Sequence, residues 1–153
     1  MDEKTYLLTW AKHLFKSRDA MLKKIKEIKE HKDMLIIEYK DMSKTAVFGC
    51  PQLASFKGLD LSDDIKYAII TFNTEDNFNA LISGWAALSS HPKLTIYFIN
   101  PKSAHDKRWV IHPCVHARIA DPESLNSGLR TMFDAVESLD ASQTKTLIKS
   151  ELF

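Results

Sequence analysis

The chain has 153 residues, 44% of them hydrophobic and 27% charged, and its formal net charge is +1. This composition is typical of one soluble domain with a substantial core, and the near-neutral charge gives no overall field that would attract nucleic acid or a membrane. Two cysteines are too few for a disulfide framework. The polar N-terminus lacks the apolar segment of a signal peptide, and no apolar run approaches the roughly 20 residues that span a bilayer. We therefore expect a soluble cytoplasmic protein with reduced thiols and no membrane partner.

The first predicted element is one long helix over residues 4–31, with a break at Ser17 as the alternative. Its apolar side chains recur at helical spacing and form one stripe, which comprises Leu7, Trp10, Leu14, Met21, Ile25 and Ile28. A helix of roughly 28 residues is about 42 Å long. Because that length exceeds the width of a domain of this size, one end should project or the stripe should contact another chain. Residues 4–31 are therefore the predicted partner surface, including a surface for self-association.

Five strands are predicted after this helix. Met34–Tyr39 and Lys44–Phe48 flank a turn and should pair antiparallel. Tyr67–Phe72 and Leu94–Ile99 are apolar runs joined through an amphipathic helix, an arrangement that favours parallel strands with a right-handed crossover. Lys107–His112 is expected to return antiparallel after a second turn.

The rest of the chain is predicted to be mostly helical. Residues 112–120 are expected to be irregular or extended. The last main helix has Asp121 as its cap and Pro122 at its first helical position, and residues 140–153 should add a short helix. The predicted fold class is α/β, with α+β as the alternative, and the element order is α-β-β-β-α-β-β-α in one domain over residues 1–153. Its five strands form a mixed sheet with flanking helices.

The segment Ile111–His116 contains the most unusual local pattern. His112, Cys114 and His116 alternate, so an extended chain would place them on one face. Imidazole and thiolate ligands suit zinc, which makes these three residues candidate metal ligands. The alternatives are histidines that form ordinary hydrogen bonds at a strand end, or a thiol nucleophile assisted by a neighbouring histidine. No cofactor is the simpler expectation, and a divalent metal is the alternative.

Glu38-Tyr39-Lys40 is a Glu-x-Lys pair at a predicted strand end. Residues 4–99, with helix, three strands, helix and strand in that order, resemble the core of the restriction-endonuclease-like superfamily of metal-dependent nucleases. In that family the glutamate is a metal ligand and the lysine stabilises the transition state, so the resemblance makes Glu38 and Lys40 candidate catalytic residues. The family carries its pair on the third strand, together with an upstream aspartate. Here Glu38 lies on the first predicted strand, with Asp33 upstream.

Three further residues are candidates for contact with a ligand or partner. Arg18 lies close to the apolar stripe, where it either pairs with a carboxylate or contacts a partner. His105 and Asp106 follow a predicted parallel strand, and ligands of open parallel sheets gather beyond the carboxyl ends of such strands. Residues 23–30 carry lysines that could contact phosphates, although the glutamates between them are equally typical of a solvated helix face.

The sequence shows no complete catalytic set. We interpret the chain as a binding or assembly module that is not an enzyme and that uses its N-terminal helix as the partner surface. The alternatives are a metal-dependent nuclease or phosphodiesterase of the resembling fold, and a nucleic-acid-binding protein. A nuclease differs from a binding module in one observable feature, because a nuclease needs two carboxylates and a lysine to converge in space.

Overall fold

The structure, a computed structural model, describes residues 1–56, 61–62 and 64–150, and in these residues six strands form one mixed sheet. The strands are β1 (Ile25–Glu30), β2 (Met34–Tyr39), β3 (Lys44–Gly49), β4 (Lys66–Phe72), β5 (Leu94–Ile99) and β6 (Arg108–Ile111). The helices are α1 (Glu3–Leu22), α2 (Glu75–Ser83), α3 (Trp85–Ser89), α4 (Pro113–Ile119), α5 (Leu125–Asp134) and α6 (Ala141–Ser150). A 3-10 turn spans Leu53–Ser55.

The strands lie side by side in the order in which they occur along the chain, and the middle of the sheet is parallel. β3, β4 and β5 run parallel, while β1, β2 and β6 each run antiparallel to their neighbours. These pairings confirm the predicted hairpin, the parallel pair joined through a helix, the antiparallel return and the α/β class. The predicted number of five strands is wrong. The described residues contain a sixth strand, β1, inside the segment predicted to be helical.

Helices cover both faces of the sheet. Alternate residues of a strand point to opposite faces. Ile70 and Phe72 of β4 pack with Leu7 of α1, and α6 lies on this same face. Ile69 packs in the cluster on the other face, together with Phe78 of α2 and the apolar side chains of α3 and α5. The cover on both faces explains why β4 and β5 have continuous apolar sequences and not alternating ones.

The first helix ends at Leu22 and not at residue 31. Lys23 adopts a left-handed conformation with a φ of 51°, which a right-handed helix cannot continue. The carboxylate of Asp19 accepts hydrogen bonds from the backbone amides of Lys24 and Ile25, at 2.7 and 3.0 Å. These contacts turn the chain back toward the sheet, where β1 begins. With 20 residues, α1 is about 30 Å long, so its length does not require a partner.

The segment Ile25–Glu30 forms a strand although its isoleucines have helical spacing. In a regular strand, residues three apart point to opposite faces. The register with β2 shifts between Ile25 and Glu27, which indicates a β-bulge with one extra residue. Ile25 and Ile28 consequently pack together on the α1 side of the sheet. A three-residue spacing thus fits a bulged strand as well as it fits a helix, and the helix prediction fails here for that reason.

The Asp19 turn leads to a prediction about stability. Asp19→Ala is expected to lower the free energy of unfolding by about 1–2 kcal/mol, because the amides of Lys24 and Ile25 lose a charged acceptor. Asp19→Asn keeps one acceptor oxygen and should recover roughly half of that loss. Urea denaturation of both variants measures the difference. Equal stability of Asp19→Ala and the unmodified chain would contradict the role given to the carboxylate.

Two other helix boundaries differ from the sequence prediction. The helix between β4 and β5 is interrupted at Gly84, which separates α2 from α3. The helix predicted to begin behind Asp121 begins at Leu125. The carboxylate of Asp121 instead accepts a hydrogen bond from the amide of Glu123 at 3.1 Å and so forms a separate turn before α5. The short helix predicted near the C-terminus is present as α6.

Candidate functional site

The candidate zinc ligands do not share a face. Residues 112–120 are predicted to be irregular or extended, but Pro113 begins the helix α4, because proline's fixed φ and missing N–H suit the first helical position. Residues two apart on a helix point about 200° apart, so Cys114 and His116 lie on opposite faces of α4, and His112 precedes the helix with an extended backbone. Nδ1 of His112 lies 2.8 Å from the hydroxyl of Thr95. Within the residues that the structure describes, no three His, Cys, Asp or Glu side chains are placed to hold a metal ion. The zinc prediction depends on an extended segment with all three side chains on one face, and the structure does not have that arrangement.

Glu38 is held by lysines. Its carboxylate lies 3.3 Å from Nζ of Lys29 and 3.6 Å from Nζ of Lys44. The hydrogen bond from Lys29 is the main cause that keeps the pKa of Glu38 below its ordinary value. Asp33 precedes the other end of β2, roughly 16 Å away along the strand. Lys40 is exposed in the turn that follows β2. The structure therefore does not bring the candidate nuclease residues together.

The carboxyl ends of β4 and β5 are closed by a later segment of the chain. The side-chain amide of Asn73 donates to the carbonyl of Val136 at 3.0 Å, and its oxygen accepts from the indole of Trp109 at 2.8 Å. The side-chain amide of Asn100 donates to the carbonyl of Glu137 at 2.9 Å. Both asparagines are buried. The segment after α5 thus occupies the place where an open parallel sheet would bind a ligand.

A cleft of about 570 Å³ lies beside this closed edge, between the N-terminal ends of α1, α2 and α6. Its acidic residues include Glu75, which pairs with Arg130, and Asp140, which accepts a hydrogen bond from the amide of Gln143 at 2.8 Å. Asn77, also on its wall, makes three side-chain hydrogen bonds to backbone groups of neighbouring segments. These groups hold the helices and loops in place, and we assign no ligand to this cleft.

A second cleft, of about 470 Å³, lies between α1 and the loop that joins β5 to β6. We call it the basic cleft, and its lining residues are Trp10, His13, Leu14, Ser17, Pro101, Lys102, Lys107 and Arg108. None of these residues is acidic. Lys102, Lys107 and Arg108 are exposed, and they form no ion pair with any carboxylate in the described part of the chain. Three basic side chains therefore border one concave surface.

Aromatic side chains pack beside the basic cleft. The ring of Tyr97, on β5, contacts Trp10 and Phe15 edge-on, at centroid distances of 6.5 and 6.2 Å. Arg18 donates to the hydroxyl of Tyr97 at 3.1 Å, and its guanidinium carbon lies 5.8 Å from the centre of that ring. Arg18 nevertheless remains exposed. The structure thus places Arg18 next to the basic cleft and pairs it with a tyrosine instead of a carboxylate.

The loop between β5 and β6 contains both predicted and unpredicted site residues. His105 and Asp106 are exposed in this loop but do not line the basic cleft. The residues that do line it, Lys102, Lys107 and Arg108, are absent from the candidates found by sequence reasoning. A signal for them exists, since three cations occur within a short segment after a strand. Only the packing of α1 against the sheet shows that a tryptophan lies beside them.

A further groove, of about 400 Å³, lies on the other side of α1, against β1. We call it the β1 groove, and its charged lining residues are Lys12, Lys16, Asp19, Lys23, Lys26 and Glu27. Lys12 pairs with Glu30 at 2.7 Å. Lys16, Lys23 and Lys26 form no ion pair within residues 1–56, 61–62 and 64–150. Cations that form no ion pair in the described residues therefore flank α1 on both sides, and Asp19 and Glu27 lie among them in the β1 groove.

Comparison with known proteins gives this chain no family. No helix among the described residues is both long and apolar enough to cross a membrane. The resemblance to restriction-endonuclease-like proteins stays unconfirmed, and the structure supports a mixed α/β fold alone. No family model, no curated protein and no solved structure matches the chain.

Proposed function

We propose that the chain is a binding module that uses α1 and the basic cleft to bind a phosphate-bearing ligand. The observation that carries the proposal is the group Lys102, Lys107 and Arg108, three exposed cations that line one cleft without a carboxylate partner in the described residues. The whole chain has 21 basic and 20 acidic residues. Overall composition therefore does not explain a cleft that contains three cations and no acidic residue.

A group of cations without carboxylate partners keeps its charge available for a ligand. Lysine and arginine supply many of the protein contacts to phosphate, and the planar guanidinium of Arg108 can bind two phosphate oxygens at once. A phosphate offers more negative charge and more acceptor oxygens than a carboxylate does. The volume of the cleft, about 470 Å³, falls in the range of about 300–1,000 Å³ that is usual for ligand sites.

The interpretation as a binding module that uses its N-terminal helix is retained for a different reason. The prediction of a partner surface rests on the length of a helix over residues 4–31, but α1 ends at Leu22. Self-association through residues 4–31 thus stays a prediction that helix length no longer supports. The nuclease hypothesis gains no supporting contact either, because the carboxylate of Glu38 is paired with lysines. The cations of the basic cleft are now the basis of the proposal.

Charge reversal in the basic cleft should remove most of the binding. The double variant Lys107→Glu with Arg108→Glu is expected to weaken the binding of pyrophosphate and of adenosine triphosphate by about tenfold or more, because attraction is replaced by repulsion. Nuclear magnetic resonance titration at low salt measures the dissociation constants of both ligands. The effect should shrink as salt is added, because exposed charges are screened.

The matched control reverses the charge of two exposed lysines at the opposite end of the parallel strands. Lys66→Glu with Lys93→Glu changes the net charge by the same amount, but these lysines lie at the amino ends of β4 and β5. Binding should change by less than about twofold, since these sites are remote from the cleft. Equal weakening in both double variants would show attraction by net charge alone and would overturn the proposal. The proposal would also be overturned if the unmodified chain bound neither pyrophosphate nor adenosine triphosphate.

A further inference from the structure

We infer that the phosphate-bearing ligand is a single strand of nucleic acid that crosses α1 from the basic cleft to the β1 groove. The inference rests on the proposed function, because the basic cleft supplies the first phosphate contacts. Two observations extend it beyond a small phosphate compound. An aromatic ring lies among the cations of the basic cleft, and a second set of unpaired lysines lies across α1 among the described residues.

The aromatic ring is that of Trp10, which lines the basic cleft itself. Trp10 is half-buried, and its edge-on contact with Tyr97 fixes its position. Proteins that bind single strands combine a cationic path for the backbone with aromatic rings on which bases stack, at about 1–3 kcal/mol per base. An anchored tryptophan beside Lys107 and Arg108 matches that combination. Stacking on this ring adds binding energy only for a ligand that carries bases.

The two grooves are separated by the width of α1. A helix with its side chains is about 10–12 Å across, so a ligand that reaches both grooves must be at least that long. His13 lines the basic cleft, and Lys16 lines the β1 groove. These residues are three apart on α1 and are therefore neighbours on its surface. They connect Arg108 on one side of the helix with Lys23 and Lys26 on the other.

The shape of the basic cleft favours a single strand over a duplex. Its cations border a concave surface with Trp10 inside it. An extended single strand can enter this surface and place a base on the indole. The bases of a duplex are stacked on each other and cannot stack on the half-buried ring of Trp10 without being flipped out, which costs a few kcal/mol. A flexible strand can also bend over α1, whereas a duplex is stiff over about 50 nm.

Fluorescence polarisation with labelled oligothymidines of increasing length tests the inference. A strand that reaches both grooves should bind at least about tenfold more tightly than a dinucleotide, because it gains additional phosphate contacts. The double variant Lys16→Glu with Lys23→Glu should weaken the long strand by about fivefold or more and change pyrophosphate binding by less than about twofold. Trp10→Leu should likewise weaken the binding of the long strand by about fivefold or more, and Trp10→Phe should weaken it less than Trp10→Leu does.

The possible failures of the two proposals can be told apart. If Lys16→Glu with Lys23→Glu binds the long strand as the unmodified chain does, or if length has no effect, the strand inference is overturned. Weaker binding of pyrophosphate by the double variant Lys107→Glu with Arg108→Glu would then still support the proposed function. Tighter binding of a duplex than of the matching single strand would also overturn the inference. Circular dichroism of every variant checks that it is folded, and Lys66→Glu with Lys93→Glu serves again as the control for net charge.

Discussion

Asn73→Leu is expected to lower the free energy of unfolding by about 3–5 kcal/mol. The side-chain amide of Asn73 donates to the carbonyl of Val136 at 3.0 Å, with longer contacts to two neighbouring carbonyls, and its oxygen accepts from the indole of Trp109 at 2.8 Å. Leucine has a similar volume, but it would leave these polar groups buried without a partner. The expected cost is their desolvation and not a cavity. Urea denaturation measures it directly.

Two further variants separate the hydrogen bonds of Asn73 from its shape. Asn73→Asp keeps the shape and the acceptor for Trp109, but a carboxylate cannot donate to Val136, so this variant should also be strongly destabilised. Asn79→Leu replaces an exposed asparagine of α2 and should change stability by no more than about 0.5 kcal/mol. Equal stability of Asn73→Leu and Asn79→Leu would show that Asn73 does not hold the segment after α5 against the sheet.

Gly49→Ala is expected to destabilise the protein by about 2–4 kcal/mol. A Cβ atom at this position would lie 2.8 Å from the carbonyl oxygen of Lys4 and 3.1 Å from Cγ of Leu8. Both atoms belong to α1, so the helix would have to move away from β3. Because α1 forms one wall of the basic cleft, the same substitution should weaken pyrophosphate binding. Thermal unfolding and the nuclear magnetic resonance titration test the two effects.

The same substitution at Gly128 should increase the stability of the protein and not decrease it. Gly128 lies within α5, and a Cβ atom there would meet nothing within 4 Å. Alanine is favoured over glycine in a helix by about 1 kcal/mol, so Gly128→Ala should stabilise the protein by about that amount. If both glycine substitutions were destabilising, the effect at Gly49 could not be assigned to the close approach of α1.

The centre of the sheet is predictable from sequence because local pattern and tertiary environment agree there. Tyr67–Phe72 and Leu94–Ile99 are covered on both faces, and their apolar runs indicate strands without any alternation. Threonine is a common helix cap, and the hydroxyl of Thr74 accepts a hydrogen bond from the amide of Asn77 at 3.1 Å at the start of α2. Strand pairing and crossover then follow from general rules of connection.

The edge of the sheet is not predictable in this way, because a contact that depends on folding decides its structure. Ile25–Glu30 carries a pattern that a helix and a bulged strand fit equally well. The choice is made by the carboxylate of Asp19, which binds two amides beyond the helix, and by pairing with β2. Asn73 is a similar case. Asparagine before a helix is usually a cap, and only the approach of Trp109 and Val136 makes Asn73 a buried hydrogen-bonding centre.

The basic cleft is the least predictable feature, because its parts are distant in the sequence. Trp10 belongs by spacing to the apolar stripe of α1, and Arg108 belongs to the edge strand β6. Neither residue suggests a site alone. The packing of α1 against the sheet brings them to one surface, where the lysines of the β5–β6 loop also lie. Sequence reasoning did select this loop, through His105 and Asp106, but for the position of the loop and not for its cations.

The most direct test of α1 as the binding surface uses the three tryptophans of the chain. Trp10 lines the basic cleft, Trp85 packs against His116 on the opposite side of the sheet, and the indole of buried Trp109 is bonded to Asn73. A nitrogen–proton correlation spectrum gives each indole its own signal. On titration with pyrophosphate, the signal of Trp10 should shift while those of Trp85 and Trp109 stay in place. If the signal of Trp10 does not move at saturation, or if that of Trp85 moves instead, the ligand binds elsewhere and α1 is not the binding surface.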